Sequence, residues 1–184
     1  MVPAPRNVVV IGPSGSGKST AATQIANALG LRFVELDALF WEPNWTPAER
    51  DVFRARITDA IVTDGWAVAG NYTETRDLMW PRADLIVWLD LRLSVVLRRL
   101  VVRSWQRSRT QELLWGTNRE RFWRHLVPRE DKSLLWFTAK GYHRRRRELE
   151  TAMAAAPPAT RWVRLRTQHE VDRWLRSLTA PVPD

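Results

Sequence analysis

Gly12-Pro13-Ser14-Gly15-Ser16-Gly17-Lys18-Ser19-Thr20 follows the apolar run Asn7-Val8-Val9-Val10-Ile11 and fits G-x-x-x-x-G-K-[S/T] at every fixed position. A helix-like stretch, Ala21 to Leu29, comes next, which is the strand–loop–helix context this pattern needs. Glycines let backbone N–H groups turn inward around a polyphosphate, and the positive end of the new helix faces the same anion. The expected ligand is a nucleoside triphosphate with Mg²⁺, cradled by Gly12, Ser14, Gly15, Ser16, Gly17, Lys18, Ser19 and Thr20. Lys18 is expected to place its ammonium between the β- and γ-phosphates, and the Ser19 hydroxyl to join the Mg²⁺ shell.

The elements that must hold this loop read as alternating strands and helices. Val8 to Ile11, Arg32 to Asp37, Trp66 to Ala69, Asp84 to Asp90 and Arg161 to Leu165 read as five strands. Helices are expected over Ser19–Leu29, from Thr46 to about Asp64-Gly65, over about Leu93–Arg107, from about Lys132 to Ala155, and from Thr167 onward. Thr46-Pro47-Ala48-Glu49 and Thr167-Gln168-His169-Glu170 both have the capping pattern of a helix start. Such alternation implies an α/β fold with a parallel sheet covered on both faces. One domain over residues 1–184 is expected, since no repeat and no linker divides the chain. The polar, arginine-rich stretch Ser108 to Asp131 is too long for an ordinary connection and reads as a lid, with Trp115-Gly116-Thr117-Asn118 as a turn.

A chain of 184 residues with 45% hydrophobic and 27% charged residues can bury its own core. No apolar run approaches the roughly 20 residues of a membrane span, and the first strand begins too early for a signal peptide. There is no cysteine, so disulfides and thiolate zinc sites are excluded and a cytoplasmic location is expected. The net charge of +9 favours polyanionic partners. Lysine occurs only at positions 18, 132 and 140, so arginine carries most of that charge. His143-Arg144-Arg145-Arg146-Arg147 suggests nucleic acid, but Glu148 and Glu150 can pair with it, so an exposed helix face is the favoured reading. His125, His143 and His169 have no metal-ligand spacing. Trp41 and Trp45 either stack an aromatic acceptor or pack the loop.

The chain resembles the adenylate-kinase-like P-loop proteins, and most closely the branch known as DNA topology modulation (FlaR-like) proteins. The likeness rests on the loop, Leu36-Asp37-Ala38-Leu39-Phe40-Trp41-Glu42-Pro43-Asn44-Trp45, Gly70-Asn71-Tyr72, Arg82-Ala83-Asp84, Val87-Trp88-Leu89-Asp90 and Leu114-Trp115-Gly116-Thr117-Asn118-Arg119-Glu120. It implies a P-loop NTPase three-layer fold with a five-stranded parallel sheet, an acceptor-side region at about 37–65 and a helical arginine-rich lid at about 104–131. It also implies ATP- and Mg²⁺-dependent phosphoryl transfer to a small acceptor: a nucleoside, a nucleotide or another hydroxyl compound. Arg99 and Arg103 match the arginine pair that clamps donor phosphates in such kinases, and i, i+4 spacing puts both on one helix face. Asp37 matches a carboxylate that orients the acceptor hydroxyl, as general base or as outer-shell Mg²⁺ ligand. Asn71 and Arg76 fall where the acceptor is held. Where the branch has Asp-Gly-Asn-Tyr this chain has Ala69-Gly70-Asn71-Tyr72, so a metal-side carboxylate is missing and Asp37, with Asp90, is left to help. The alternative is a nucleotide-binding ATPase that regulates through nucleic acid.

Overall fold

The computed structural model describes residues 4–119 and 133–179. Five strands form the main sheet: β1 (Asn7–Ile11), β2 (Arg32–Glu35), β3 (Trp66–Ala69), β4 (Leu85–Leu89) and β5 (Arg161–Leu165). Their spatial order is β2-β3-β1-β4-β5, and every pair is parallel. Val9 pairs with Val68 on one side and Ile86 on the other, which puts β1 and its following loop at the centre.

The period-two alternation of the strands splits their apolar residues between two cores. Val8, Val10, Ala67, Val87 and Leu165 face Ala22 and Ile25 of α1 (Lys18–Leu29) and Val171 of the C-terminal helix. Val9, Ile11, Val34, Val68, Ile86 and Trp88 face Phe53 and Ile57 of α3 (Arg50–Ala60) and Leu149 of α6 (Leu134–Ala154). The remaining helices are α2 (Leu36–Phe40), α4 (Arg76–Met79), α5 (Leu93–Thr110) and α7 (Gln168–Thr179). Thr167 caps α7 as expected: the Glu170 N–H donates to its Oγ1 at 3.1 Å, and the Glu170 carboxylate accepts from Arg166 N–H at 2.6 Å.

Two expectations fail near residue 40. Strand β2 stops at Glu35, and Asp37 sits in the first turn of α2 rather than at a strand end. Thr46 does not cap a helix, because Thr46–Pro47 pairs antiparallel with Trp41–Glu42 and α3 starts only after Glu49. The Ala48 N–H donates to Phe40 O at 2.8 Å and closes this short hairpin. Tertiary contacts of the two tryptophans hold the segment extended against its local helix-start signal. Helix α5 also runs a turn beyond Arg107, so residues 104–110 of the expected lid are helical. They lead into an antiparallel hairpin, Leu113–Leu114 with Asn118–Arg119, turning at Trp115 to Thr117. Residues 120–131 of the expected lid, and Lys132, lie outside the described residues.

Candidate active site

The loop from Gly12 to Gly17 leaves the C-terminal end of β1 and ends in α1, whose N-cap is Gly17. Its shape depends on Gly15, which has φ +85° and whose added Cβ would lie 2.7 Å from the Val96 carbonyl oxygen. The loop is thereby pressed against α5, the helix that carries both arginines of the expected clamp. The Ser16 hydroxyl is buried with no hydrogen-bond partner. Buried polar atoms are normally satisfied, so this one suits a ligand oxygen. Lys18 Nζ donates to the Pro13 carbonyl at 3.1 Å. Burial pulls the Lys18 ammonium below its ordinary pKa; Asp37 and Glu35 oppose that shift, and Arg103 adds to it. The charges of Arg103, Glu35 and Asp37 thus act on one ammonium group.

Glu35 was not singled out by the motif reading. It ends β2, and burial pushes its carboxyl up, with the Asp37 charge pushing the same way and the Ser19 side chain and Lys18 opposing. The signal was present in the sequence as a second acidic residue two positions before Asp37. Asp37 itself accepts a 2.7 Å hydrogen bond at Oδ1 from the Tyr72 hydroxyl. The donor set therefore fits a hard cation held at Ser19 beside carboxylate oxygens. Ala69, which stands where a metal-side Asp was expected, is fully buried in β3.

Arg99 and Arg103 face different neighbours. Arg99 Nη2 donates to Gln168 Oε1 at 2.8 Å, and with Ser16, Gly17, Thr20, Gln168 and Asp172 it borders a cavity of about 190 Å³. A second cavity of about 580 Å³ is bordered by Ser19, Thr20, Gln24, Phe33, Glu35 and Trp115. The aromatic residues bordering that cavity are Phe33 and Trp115; Trp41 and Trp45 do not border it. These two instead pack edge-on to each other at 5.5 Å, and Trp45 packs on Trp115 at 5.6 Å.

Asn118, only 1% exposed, ties the two hairpins together. Its Oδ1 accepts from Trp45 N–H at 2.7 Å and its Nδ2 donates to Glu42 O at 3.0 Å, while Trp45 Nε1 donates to Arg119 O at 3.0 Å. Replacing Asn118 with alanine removes two of these bonds. The expected cost is on the order of 2 kcal/mol, seen as a lower melting temperature together with a red shift of tryptophan emission. Arg76 Nη2 donates to Asn71 Oδ1 at 3.0 Å and its guanidinium lies 4.7 Å over Trp80, while its Nε is buried without a partner.

Asp90 is not available to a metal. Arg164 donates to its Oδ2 at 2.9 and 2.6 Å, Arg146 lies 3.1 Å from Oδ1, and the carboxylate is buried. Three residues of the run from His143 to Arg147 are likewise engaged: Arg144 pairs with Glu148, Arg145 lies over Phe137 at 3.9 Å, and Arg146 serves Asp90. No helix among the described residues is long and apolar enough to cross a membrane.

Comparison with known proteins agrees with this geometry. The family described as AAA domain matches residues 8–155. A shikimate kinase of Corynebacterium diphtheriae is 31% identical over 140 residues, spanning 67% of this chain and 77% of that protein. Among solved structures, a shikimate kinase from Bacteroides thetaiotaomicron superposes with a TM-score of 0.59 at 16% identity, over 95% of this chain and 97% of that one. A gluconokinase from Sinorhizobium meliloti 1021 gives 0.50 at 23% identity, over 95% and 94%. The two solved structures share the fold of this chain.

Proposed function

Since this chain belongs to the family described as AAA domain, and within it to the P-loop kinases, we propose that it transfers the γ-phosphoryl group of ATP to a hydroxyl of a small acceptor. One observation carries the proposal: the glycine-shaped loop holds the Lys18 ammonium against the Pro13 carbonyl and leaves the buried Ser16 hydroxyl with no hydrogen-bond partner among the described residues. Phosphoryl transfer needs fixed cations and a positioned nucleophile more than covalent help from the protein. In this reading Lys18 and the loop N–H groups hold the β- and γ-phosphates, and Arg103 and Arg99 close over them from α5. Arg99 must leave Gln168 to do so.

The two carboxylates divide the remaining work. Ser19 and Glu35 hold the metal side, because both border the same cavity beside the loop. Mg²⁺, when bound there, supplies charge neutralisation to the transferring group. Asp37 works on the acceptor side, with one oxygen on Tyr72 and the other free to accept the acceptor's hydroxyl proton. Asn71, Arg76 and the hairpin of Trp41 and Trp45 shape that side, within the acceptor region at 37–65. The segment 104–131 is the lid of a single domain spanning 1–184, and the enzyme works in the cytoplasm.

The relative named as a shikimate kinase favours a polyhydroxylated acid as acceptor. Within the family, the L-D-A-L-F-W-E-P-N-W and G-N-Y stretches favour the DNA topology modulation branch. A nucleic-acid role is not favoured, because three arginines of the basic run on α6 are engaged within the chain. The test is ADP release with Mg-ATP against shikimate, gluconate, nucleosides and nucleoside monophosphates. One hydroxyl compound raising release far above background supports the proposal, and release unaffected by every class contradicts it.

Glu35 gives the site a pH signature. Its folded-state carboxyl titrates above the ordinary glutamate value because of burial and Asp37. Ionising it therefore costs more in the folded chain than in the unfolded one. That penalty is absent below the ordinary carboxylate range and complete above the raised value of Glu35. Without Mg²⁺, Glu35→Gln is expected to raise the melting temperature at pH 7 and to leave it unchanged near pH 3. Mg²⁺ competes with the proton at this group, so wild-type metal affinity should fall on acidification sooner than an ordinary glutamate would allow. Melting curves and Mg²⁺ titrations at several pH values check both signs.

A further inference from the structure

Two separated motifs meet at one contact. Gly70 follows β3, and a Cβ there would lie 2.6–2.8 Å from the Leu36 side chain, so only glycine lets the two segments approach this closely. Leu36 is fully buried by that approach. One residue beyond Leu36 stands Asp37, and two beyond Gly70 stands Tyr72; the Tyr72 hydroxyl donates to Asp37 Oδ1 at 2.7 Å. The Tyr72 ring is fixed by Phe40 at 4.7 Å and Phe53 at 5.0 Å, and Phe53 is fully buried between α3 and the sheet. The Thr75 N–H and hydroxyl both donate to the Tyr72 carbonyl, at 3.2 and 3.0 Å, so the backbone is held as well.

From this geometry we propose that Tyr72 is a positioning residue. It fixes the Asp37 carboxylate in one orientation, with Oδ1 engaged and Oδ2 presented to the attacking hydroxyl. The inference rests on the acceptor-side role given to Asp37 above. A carboxylate on an isolated turn of α2 rotates freely about its side-chain torsions, and only some orientations suit in-line attack. Tyr72 removes that freedom from a rigid base, because its ring packs against Phe40 and the fully buried Phe53. Its hydroxyl touches neither donor nor acceptor and acts only through Asp37. The pairing also explains why the Leu-Asp and Gly-Asn-Tyr stretches occur in one chain: the glycine admits the leucine, and the tyrosine then reaches the aspartate.

The test compares Tyr72→Phe, Asp37→Asn and the double variant in the full chain, with hydrolysis of Mg-ATP as the reaction, so that water is the acceptor. Tyr72→Phe keeps the ring and loses only the donor. A lost positioning bond is expected to lower kcat about tenfold, with KM for Mg-ATP and the melting temperature unchanged. The double variant should be no slower than Asp37→Asn alone. Wild-type kcat in Tyr72→Phe, or losses that multiply in the double variant, would overturn the inference. The carboxyl-carbon resonance of Asp37, followed by NMR in wild type and Tyr72→Phe, reads the same point without turnover. It should shift and broaden when the donor is removed, and an unchanged line overturns the proposal. Failure of the kinase reading would look different, since wild type itself would then bind no Mg-ATP.

Discussion

Lys18→Ala is expected to lower Mg-ATP turnover by about a hundredfold or more, the cost of removing one preorganised charge from a developing phosphoryl group. The ammonium stands at the loop, bonded to the Pro13 carbonyl and within the electrostatic field of Glu35, Asp37 and Arg103. Desolvation there strengthens its action on an anion, because little water competes with it. Binding should weaken along with turnover, since the same charge meets the β- and γ-phosphates in the ground state. Lys18→Arg is expected to rescue little, because a planar guanidinium does not fit the place of a compact ammonium. Rates of ADP release measure the effect, and a loss smaller than about threefold contradicts the assigned role.

The second large effect is on stability. Asp90 is buried with Arg164 on one oxygen and Arg146 on the other, and the Arg164 guanidinium also lies 4.2 Å over Trp88 and 2.6 Å from Glu150. Removing one member of such a group leaves buried charge without its partner, at a cost of about 3–5 kcal/mol. Asp90→Ala is therefore expected to lower the melting temperature by roughly 10 °C for a domain of this size. Its Mg²⁺ dependence should match that of the wild type at temperatures where both are folded. An Asp90→Ala chain that melts normally but needs far more Mg²⁺ would return Asp90 to the metal site.

The contrast between Asp90 and Asp37 shows what could be read before the fold was known. The loop, the five strands and the parallel sheet follow from runs of β-branched residues, glycine spacing and the alternation of strand with helix. Those signals are local, and the structure keeps them. What one aspartate does is not local. Asp90 meets arginines 56 and 74 positions away, and Asp37 meets a tyrosine 35 positions away. Spacing along the chain does not announce such pairings. Thr46 shows the reverse: a strong local helix start is overridden because Asn118, over seventy positions on, bonds both Trp45 and Glu42. Glu35 stands two positions before Asp37, but Asp37 lies in α2 and not on the strand, so strand alternation alone does not bring the two acids together.

The central claim is that this loop holds Mg-ATP, and thermal melting of the full chain with and without Mg-ATP tests it most directly. At a hundredfold excess over Kd a ligand of the folded state adds about 2.7 kcal/mol, which is a rise of roughly 5–10 °C for a domain of this length. That rise is the predicted result, and it should be absent in Lys18→Ala at the same concentration. No shift in the wild type, or an equal shift in the variant, would contradict the account.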